Sequence, residues 1–416
     1  MVHATLVAAI VVNADQQSGY TSRMAERHGA ADEAASNPDL VAAVRDEIAA
    51  AGGRITFARY MDLALYHPRH GYYLGAAERP GRTGDFITSP ELSPLFGHCL
   101  MRQAREVWDL LGRPTPFTVI EYGAGGGRLA RDLLVAARAE APDFAADLRY
   151  VLHEANPHRR AEAARRLADA GVAKRASLEA PGEEAGAAPV AGLILTNEFV
   201  DALPVHRVVC RDGAPLERYV AWDGGWFAEE LGPPSTPRLA AALAAGGVRL
   251  AEGQSAEVNL AAGDWLAGAA RRLSRGVILT IDYGYPTAEL YDSIRQNGTF
   301  LCYYRHATAD DPYARVGHQD MTAHVDFGAL ERAGAAAGLA TLGLTTQAHF
   351  LTGLGLGELL VAGQTPDRAL GDYLADRAAV LALIAPRGLG GFRVLAQARD
   401  LPPDTRLAGF ITDLSL

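Results

Sequence analysis

Three stretches of this 416-residue chain carry residue types at spacings that can do chemistry. The first is Val119-Ile-Glu121-Tyr-Gly123-Ala-Gly125-Gly126-Gly127-Arg128-Leu129. Glycines at the exit of an apolar strand let the backbone turn sharply and let a ligand come close to the main chain. In an open α/β sheet that crevice, at the carboxyl ends of the strands, receives nucleotide-like ligands. The pattern departs from the dinucleotide fingerprint. Counted from Gly123, the third glycine is replaced by Arg128. Counted from Gly125 it closes on Ala130, but the next acid ending a strand, Glu154, lies 29 residues on where about 20 is usual. A sulfonium donor such as S-adenosylmethionine has no pyrophosphate. Glu121 suits its ammonium group, directly or through water, and Glu154 suits its two ribose hydroxyls. The plain alternative is a glycine-rich structural turn.

The second stretch is Asn197-Glu198-Phe-Val-Asp201-Ala-Leu-Pro204-Val-His206. It leaves an apolar strand and sets a carboxamide, two carboxylates and a histidine at the same rim. A helix start, with Asn197 as cap and Glu198 near the positive helix end, accounts for one or two of these four. Paired carboxylates can instead clamp a guanidinium, whose planar fork they match. The third is Gly317-His318-Gln319-Asp320-Met-Thr322-Ala-His324-Val-Asp326-Phe327. Asp320, Thr322 and His324 share one face if the segment is extended. Their spacing fits no metal site, so a polar wall is expected there and no metal. Gly84-Asp85-Phe-Ile-Thr88-Ser89-Pro90-Glu91 precedes a long helix; Thr88 or Ser89 can cap it, with Pro90 at the first helical position.

Strands and helices must hold these residues at one rim. Phe117–Glu121, Leu148–Glu154, Gly192–Thr196 and Gly276–Ile281 are short apolar strands, and helices over Leu129–Ala139 and Arg159–Ala170 follow the first two. This alternation implies a doubly wound parallel sheet, an α/β fold. Between the third and fourth strands, Val205–Cys210, Glu217–Trp222 and Trp226–Glu230 are joined by Asp212-Gly213 and Asp223-Gly224-Gly225, which predicts inserted antiparallel hairpins at about 205–255. Helices are expected from Asp39 to the Gly52-Gly53 stop, over Leu95–Leu111 and over Phe327–Ala337, and a late strand at Phe392–Gln397. The chain then divides into a mobile leader (1–38), a helical and loop segment over the site (39–115), the core (116–290) and a C-terminal segment completing pocket and sheet (291–416).

Composition is that of a globular protein, 49% hydrophobic and 21% charged, with a net charge of −10. An acidic chain without a basic stripe argues against nucleic-acid binding, which rests on neutralising phosphates. Cys99, Cys210 and Cys302 are too scattered for a disulfide framework or a zinc site. The apolar run Leu6–Val12 is too short to span a bilayer and has no cationic flank, so neither a membrane segment nor a signal peptide is read there. A soluble, cytoplasmic protein is expected.

Several motifs together resemble the MidA-like methyltransferases, whose members include a mitochondrial complex I assembly factor that methylates a protein arginine. They are Tyr60-Met-Asp-Leu-Ala-Leu-Tyr66-His-Pro68-Arg-His-Gly71-Tyr-Tyr73, Gly84–Glu91, the Glu121–Gly127 loop, Asn197–Pro204, Asp282-Tyr-Gly284 and Gln319–Phe327. The resemblance covers about Ile55 to Leu395. It implies a class I (Rossmann-like) methyltransferase core, S-adenosylmethionine as donor and an arginine acceptor in a partner protein. Gly123, Gly125 and Glu154, with Glu121, Gly127, Asn197 and Asp85, are the expected cofactor residues. Glu198 and Asp201 are expected to face the acceptor, and Asp282, Tyr283 and the Asp320–His324 face to shape the pocket. His324 or His206 is a candidate proton relay. A small-molecule methyltransferase and a non-catalytic assembly factor are the rival readings.

Overall fold

The computed structural model describes residues 35–75, 88–183, 186–305, 307–364, 369–402 and 404–411. Most of the expected leader, Leu6–Val12 included, and Asp85 lie outside the described residues. Seven strands form the central sheet: β1 (Phe117–Tyr122), β2 (Leu148–His153), β3 (Ala176–Glu179), β4 (Val190–Asn197), β5 (Leu273–Asp282), β6 (Ala340–Thr346) and β7 (Arg393–Arg399). Their order is 3-2-1-4-5-7-6. Strands β1 to β5 are mutually parallel, and β7 runs antiparallel to both β5 and β6. This is the class I methyltransferase arrangement, as expected.

The parallel strands are apolar because both their faces are covered. All of β1 is buried, and its side chains alternate between two cores. Phe117 and Val119 join Leu133, Phe96 and Leu100 under the helices Arg128–Glu140 and Pro94–Leu110. Ile120 and Tyr122 join Leu266 and Leu330 under Leu260–Arg272 and Phe327–Ala336. The chain builds outward from β1 in both directions, so the connections that leave β1 and β4 depart on opposite sides. The crevice this opens lies at the carboxyl ends of those two strands, at Tyr122 and Asn197.

The insertion folds as antiparallel strands His206–Arg211, Ala214–Asp223 and Trp226–Gly232, with Ser255–Val258 beside the first. Asp212 and Gly213 both take positive φ, 51° and 74°, which suits the tight hairpin that their types predict. A strand not foreseen, Arg54–Thr56, completes this sheet by pairing with Tyr219–Ala221. The N-terminal segment and the insertion therefore share one layer, cored by Phe57, Tyr60, Val220 and Phe227. Helix Pro38–Ala50 is capped by Asn37, whose side chain accepts the Asp39 and Leu40 N–H groups, and it ends before Gly52 at φ 85°. The predicted cap at Thr88 or Ser89 is corrected. Ser89–Leu92 is a single turn without a side-chain cap at Thr88, and the Ser89 hydroxyl donates to Gln347 Oε1 at 3.2 Å instead.

Candidate active site

Beyond β1 the chain turns through Gly123, Gly125 and Gly127 at φ 71°, 53° and 70°. The three differ in what surrounds them. A Cβ on Gly123 would lie 2.9 Å from the Phe199 ring, and one on Gly127 would lie 2.7 Å from Ala163 Cβ. One on Gly125 would meet nothing within 4 Å. Two glycines are thus packed against the protein, and the middle one faces open space. Glu154, the residue after β2, closes the loop from the side. Its Oε2 accepts the Gly125 N–H at 2.8 Å and its Oε1 the Asn156 N–H at 2.7 Å. A carboxylate has about four acceptor sites, so both oxygens retain capacity for vicinal hydroxyls. An open main-chain turn beside such an acid fits the adenosine end of S-adenosylmethionine.

Glu121 occupies a different environment. It alternates with Ile120 and so lies on the same side of β1 as Val119, where it is 5% exposed. It accepts the Tyr150 hydroxyl at 2.8 Å, and burial pushes its pKa up to about 8. It is engaged within the protein, beneath the loop.

The other half of the crevice is built at the end of β4. Asn197 is the last strand residue, and Glu198 then adopts φ 53°, uncommon for a residue with a Cβ. Its N–H donates to the Ile281 carbonyl at 2.9 Å. One carboxylate oxygen, Oε1, accepts Asn197 Nδ2 at 2.9 Å and the Ser89 N–H at 3.2 Å. The side chain remains partly exposed, yet its desolvation raises the pKa to about 8. Asp201 follows within the same turn; its Oδ2 accepts the Tyr283 hydroxyl, and burial raises its pKa to about 6. Asn197 Oδ1 is buried without a partner, and the backbone N–H groups of Asp201 and Ala202 lie against the Asp201 carboxyl. The contact that a Gly123 Cβ would make with Phe199 sets this turn directly against the glycine loop.

A tyrosine wall stands beside the acids. Tyr66 and Tyr73 stack at 5.5 Å; Tyr73 donates to Asp320 Oδ1 at 2.7 Å and Tyr66 to the Ala202 carbonyl at 3.0 Å. Asn156 Nδ2 donates to the Tyr73 carbonyl at 2.7 Å, which links this wall to the Glu154 side of the cradle. The His324 ring packs against Tyr283 and Tyr285, its Nδ1 is buried without a partner, and burial lowers its pKa to about 4. His206 sits in the inserted sheet and is bonded to Glu217 at 2.7 Å. The structure thus brings Glu154, Asn197, Glu198, Asp201 and the Asp320–His324 segment around one crevice and ties His206 elsewhere. Tyr66, Tyr73 and Asn156 received no role from sequence reasoning. Tyr66 and Tyr73 lie in the Tyr60–Tyr73 motif, Tyr66 closing the helix Phe57–Tyr66, and Asn156 caps the helix Pro157–Asp169.

Comparison with known proteins agrees with this geometry. A family model for S-adenosyl-L-methionine-dependent methyltransferases matches residues 99–345. The protein arginine methyltransferase NDUFAF7 homolog of Drosophila melanogaster is 31% identical over 66% of this chain and 65% of its own length. NDUFAF7 of Bos taurus is 28% identical over 86% of each chain. A crystal structure of a Burkholderia thailandensis superfamily member bound to S-adenosyl-homocysteine superposes with a TM-score of 0.82 at 36% identity, covering 93% of this chain and 97% of that one. The cytoplasmic expectation is overturned, because the curated NDUFAF7 relatives are mitochondrial proteins. Among the described residues no helix is long and apolar enough to cross a membrane. Fold, open glycine cradle and relatives converge, and the chain belongs to the MidA-like family of S-adenosylmethionine-dependent methyltransferases.

Proposed function

We propose that this enzyme methylates an arginine side chain of a partner protein, with Glu198 gripping the guanidinium and Asp201 beside it. The observation that carries the reading is a crevice furnished with acceptors. Glu198, Asp201 and Asn197 lie on one turn, and Asn197 Oδ1 is buried without a partner. Such a set calls for a ligand that only donates, and a guanidinium has five N–H donors and no acceptor. The names of the Drosophila and Bos relatives, protein arginine methyltransferases, point the same way.

Gly123, Gly125, Gly127 and Glu154 hold the donor in this reading, with Asn197 at the border of the two halves. Glu121 lies below the loop and ties β1 to β2 through the Tyr150 hydroxyl. When bound, the donor supplies a methyl group on a positive sulfur, which leaves as a neutral thioether and needs no acid. The protein's task is orientation. Glu198 offsets the repulsion between guanidinium and sulfonium and leaves one nitrogen aimed across the crevice. That nitrogen must also lose a proton. Glu198, raised to about 8, can hold one near neutral pH. His324, lowered to about 4, is neutral there and serves as a hydrogen-bond acceptor. In the division of labour that we propose, 116–290 carries both half-sites and 39–115 with 291–416 flanks them. Ser89 on Glu198 and Tyr73 on Asp320 support that division. Incubating protein extract with enzyme and isotopically labelled donor tests the function. Label on arginine is expected; label on a small metabolite, or no transfer at all, overturns it.

A further inference from the structure

Asp282, the last residue of β5, is fully buried and makes an unusual set of contacts. Its Oδ2 accepts three consecutive backbone N–H groups, from Phe199 at 3.2 Å, Val200 at 2.9 Å and Asp201 at 3.3 Å. Its Oδ1 accepts the N–H of Tyr283 at 2.9 Å. Consecutive N–H groups converging on one acceptor form a nest, here closed around a carboxyl group of the protein itself, whose pKa burial and the nearby Asp201 and Glu198 push well up. Among the described residues, none of these four hydrogen bonds reaches the Gly123–Gly127 loop.

The turn that Asp282 gathers is the one between Glu198 and Asp201. Glu198 holds a left-handed backbone that a side-chain-bearing residue keeps only when its surroundings impose it. Asp282 provides that constraint immediately downstream, while the Ile281 carbonyl takes the N–H of Glu198 itself. Tyr283, the next residue along, donates its hydroxyl to Asp201 Oδ2. Two adjacent residues at the end of β5 therefore set both carboxylates of the neighbouring strand's turn.

We propose that Asp282 is a positioning residue for the methyl acceptor: by collecting the N–H groups of residues 199–201 it holds Glu198 in its left-handed conformation and aims that carboxylate across the crevice. The proposal rests on the acceptor reading above. Asp282→Asn presents an amide where Oδ1 and Oδ2 each face N–H donors, so one side of the nest meets a donor and opens. Glu198 is then free to relax toward a right-handed backbone, and its carboxylate swings away. The hydrogen bonds of Glu154 to the Gly125 and Asn156 N–H groups, on the donor side, involve no atom of this turn.

The test compares Asp282→Asn, Glu198→Gln and the double variant on a methylatable arginine peptide, with S-adenosyl-homocysteine affinity measured by calorimetry. Displacement of an aligned group by about 1 Å costs roughly 100-fold, so kcat/KM for the peptide should fall by roughly 10- to 100-fold in Asp282→Asn. S-adenosyl-homocysteine affinity should stay within about threefold, and the double variant should be no slower than the slower single one. Multiplying losses in the double variant, or a full rate in Asp282→Asn beside a slow Glu198→Gln, overturns the positioning role and leaves the acceptor reading standing. Loss of S-adenosyl-homocysteine binding or of folding in Asp282→Asn makes the residue part of the scaffold and also overturns it. A full rate in Glu198→Gln instead defeats the acceptor reading on which the proposal rests. As a second handle, Tyr283→Phe removes only the hydroxyl on Asp201 and should raise KM for the peptide without altering S-adenosyl-homocysteine affinity; an unchanged KM counts against the β5 end as the positioning element.

Discussion

Replacing Glu198 with glutamine removes one charge from the crevice and little else. The side-chain carbonyl of glutamine can still accept the Ser89 N–H and Asn197 Nδ2, which now converge on Oε1 at 3.2 and 2.9 Å. The other position becomes an NH2 group, a donor facing a ligand that also only donates. The charge-assisted bond to the guanidinium is lost, a difference of about 1.5–3 kcal/mol. Felt fully in the transition state, that is about 10- to 150-fold in rate. The effect depends on pH in a definite sense. With its pKa near 8, the free Glu198 is mostly protonated at neutral pH, and raising the pH creates the carboxylate that binds the cation. One unit below the pKa about a tenth is ionised, so wild-type kcat/KM should climb about tenfold from pH 7 and level off above pH 8. The Glu198→Gln profile should lack that rise. The assay is labelled-methyl transfer to an arginine peptide from pH 6 to 9, with melting temperature and S-adenosyl-homocysteine affinity as controls. A variant as fast as wild type on a confirmed arginine acceptor, or one that keeps the same pH rise, would refute the reasoning.

Further expectations concern the donor half and the fold. Gly125→Ala places its methyl in open space at φ 53°, costing about 1–2 kcal/mol of backbone strain; the protein should fold, and calorimetry should find S-adenosyl-homocysteine bound at least about tenfold more weakly, equivalent to about 1.4 kcal/mol. Gly127→Ala drives the same methyl to 2.7 Å from Ala163 Cβ, so it should lower the melting temperature more than Gly125→Ala does; the reverse order would discredit the packing argument. Glu121, raised to about 8 by burial, binds a proton in the folded chain that the unfolded chain has already released. Its contribution to stability therefore declines as pH rises from about 4.5 to about 8. Glu121→Gln keeps an acceptor for Tyr150 and should show a smaller fall in melting temperature between pH 5 and pH 9; identical slopes would argue against a buried, titrating carboxyl. His324, lowered to about 4, should contribute no inflection to the rate profile above pH 6, which His324→Gln checks by leaving the profile's shape unchanged.

Strands β1, β2, β4 and β5 were legible because a parallel strand buried on both faces writes itself as an apolar run closed by a polar or glycine turn. Their ends fall within a few residues of the runs read from the sequence. Strand β6, Ala-Thr-Leu-Gly-Leu-Thr-Thr, escaped because it lies at the sheet's edge and buries only Thr345 outright. Arg54–Thr56 escaped because three residues carry no periodicity; their strand character comes from a partner about 165 positions away. The acids of the site were conspicuous as polar residues ending apolar strands. Their environments were not, because they arise from contacts distant in the chain: Tyr150 on Glu121, Ser89 on Glu198, and Tyr73 on Asp320 across 247 residues.

The most direct test of the account is a crystal structure of the protein with S-adenosyl-homocysteine and an arginine peptide. The predicted result is adenosine over Gly125 with its ribose hydroxyls on Glu154, and a guanidinium bonded to Glu198 across the crevice. A cofactor seated elsewhere, or an arginine bound with Glu198 still turned only toward Ser89 and Asn197, would contradict it.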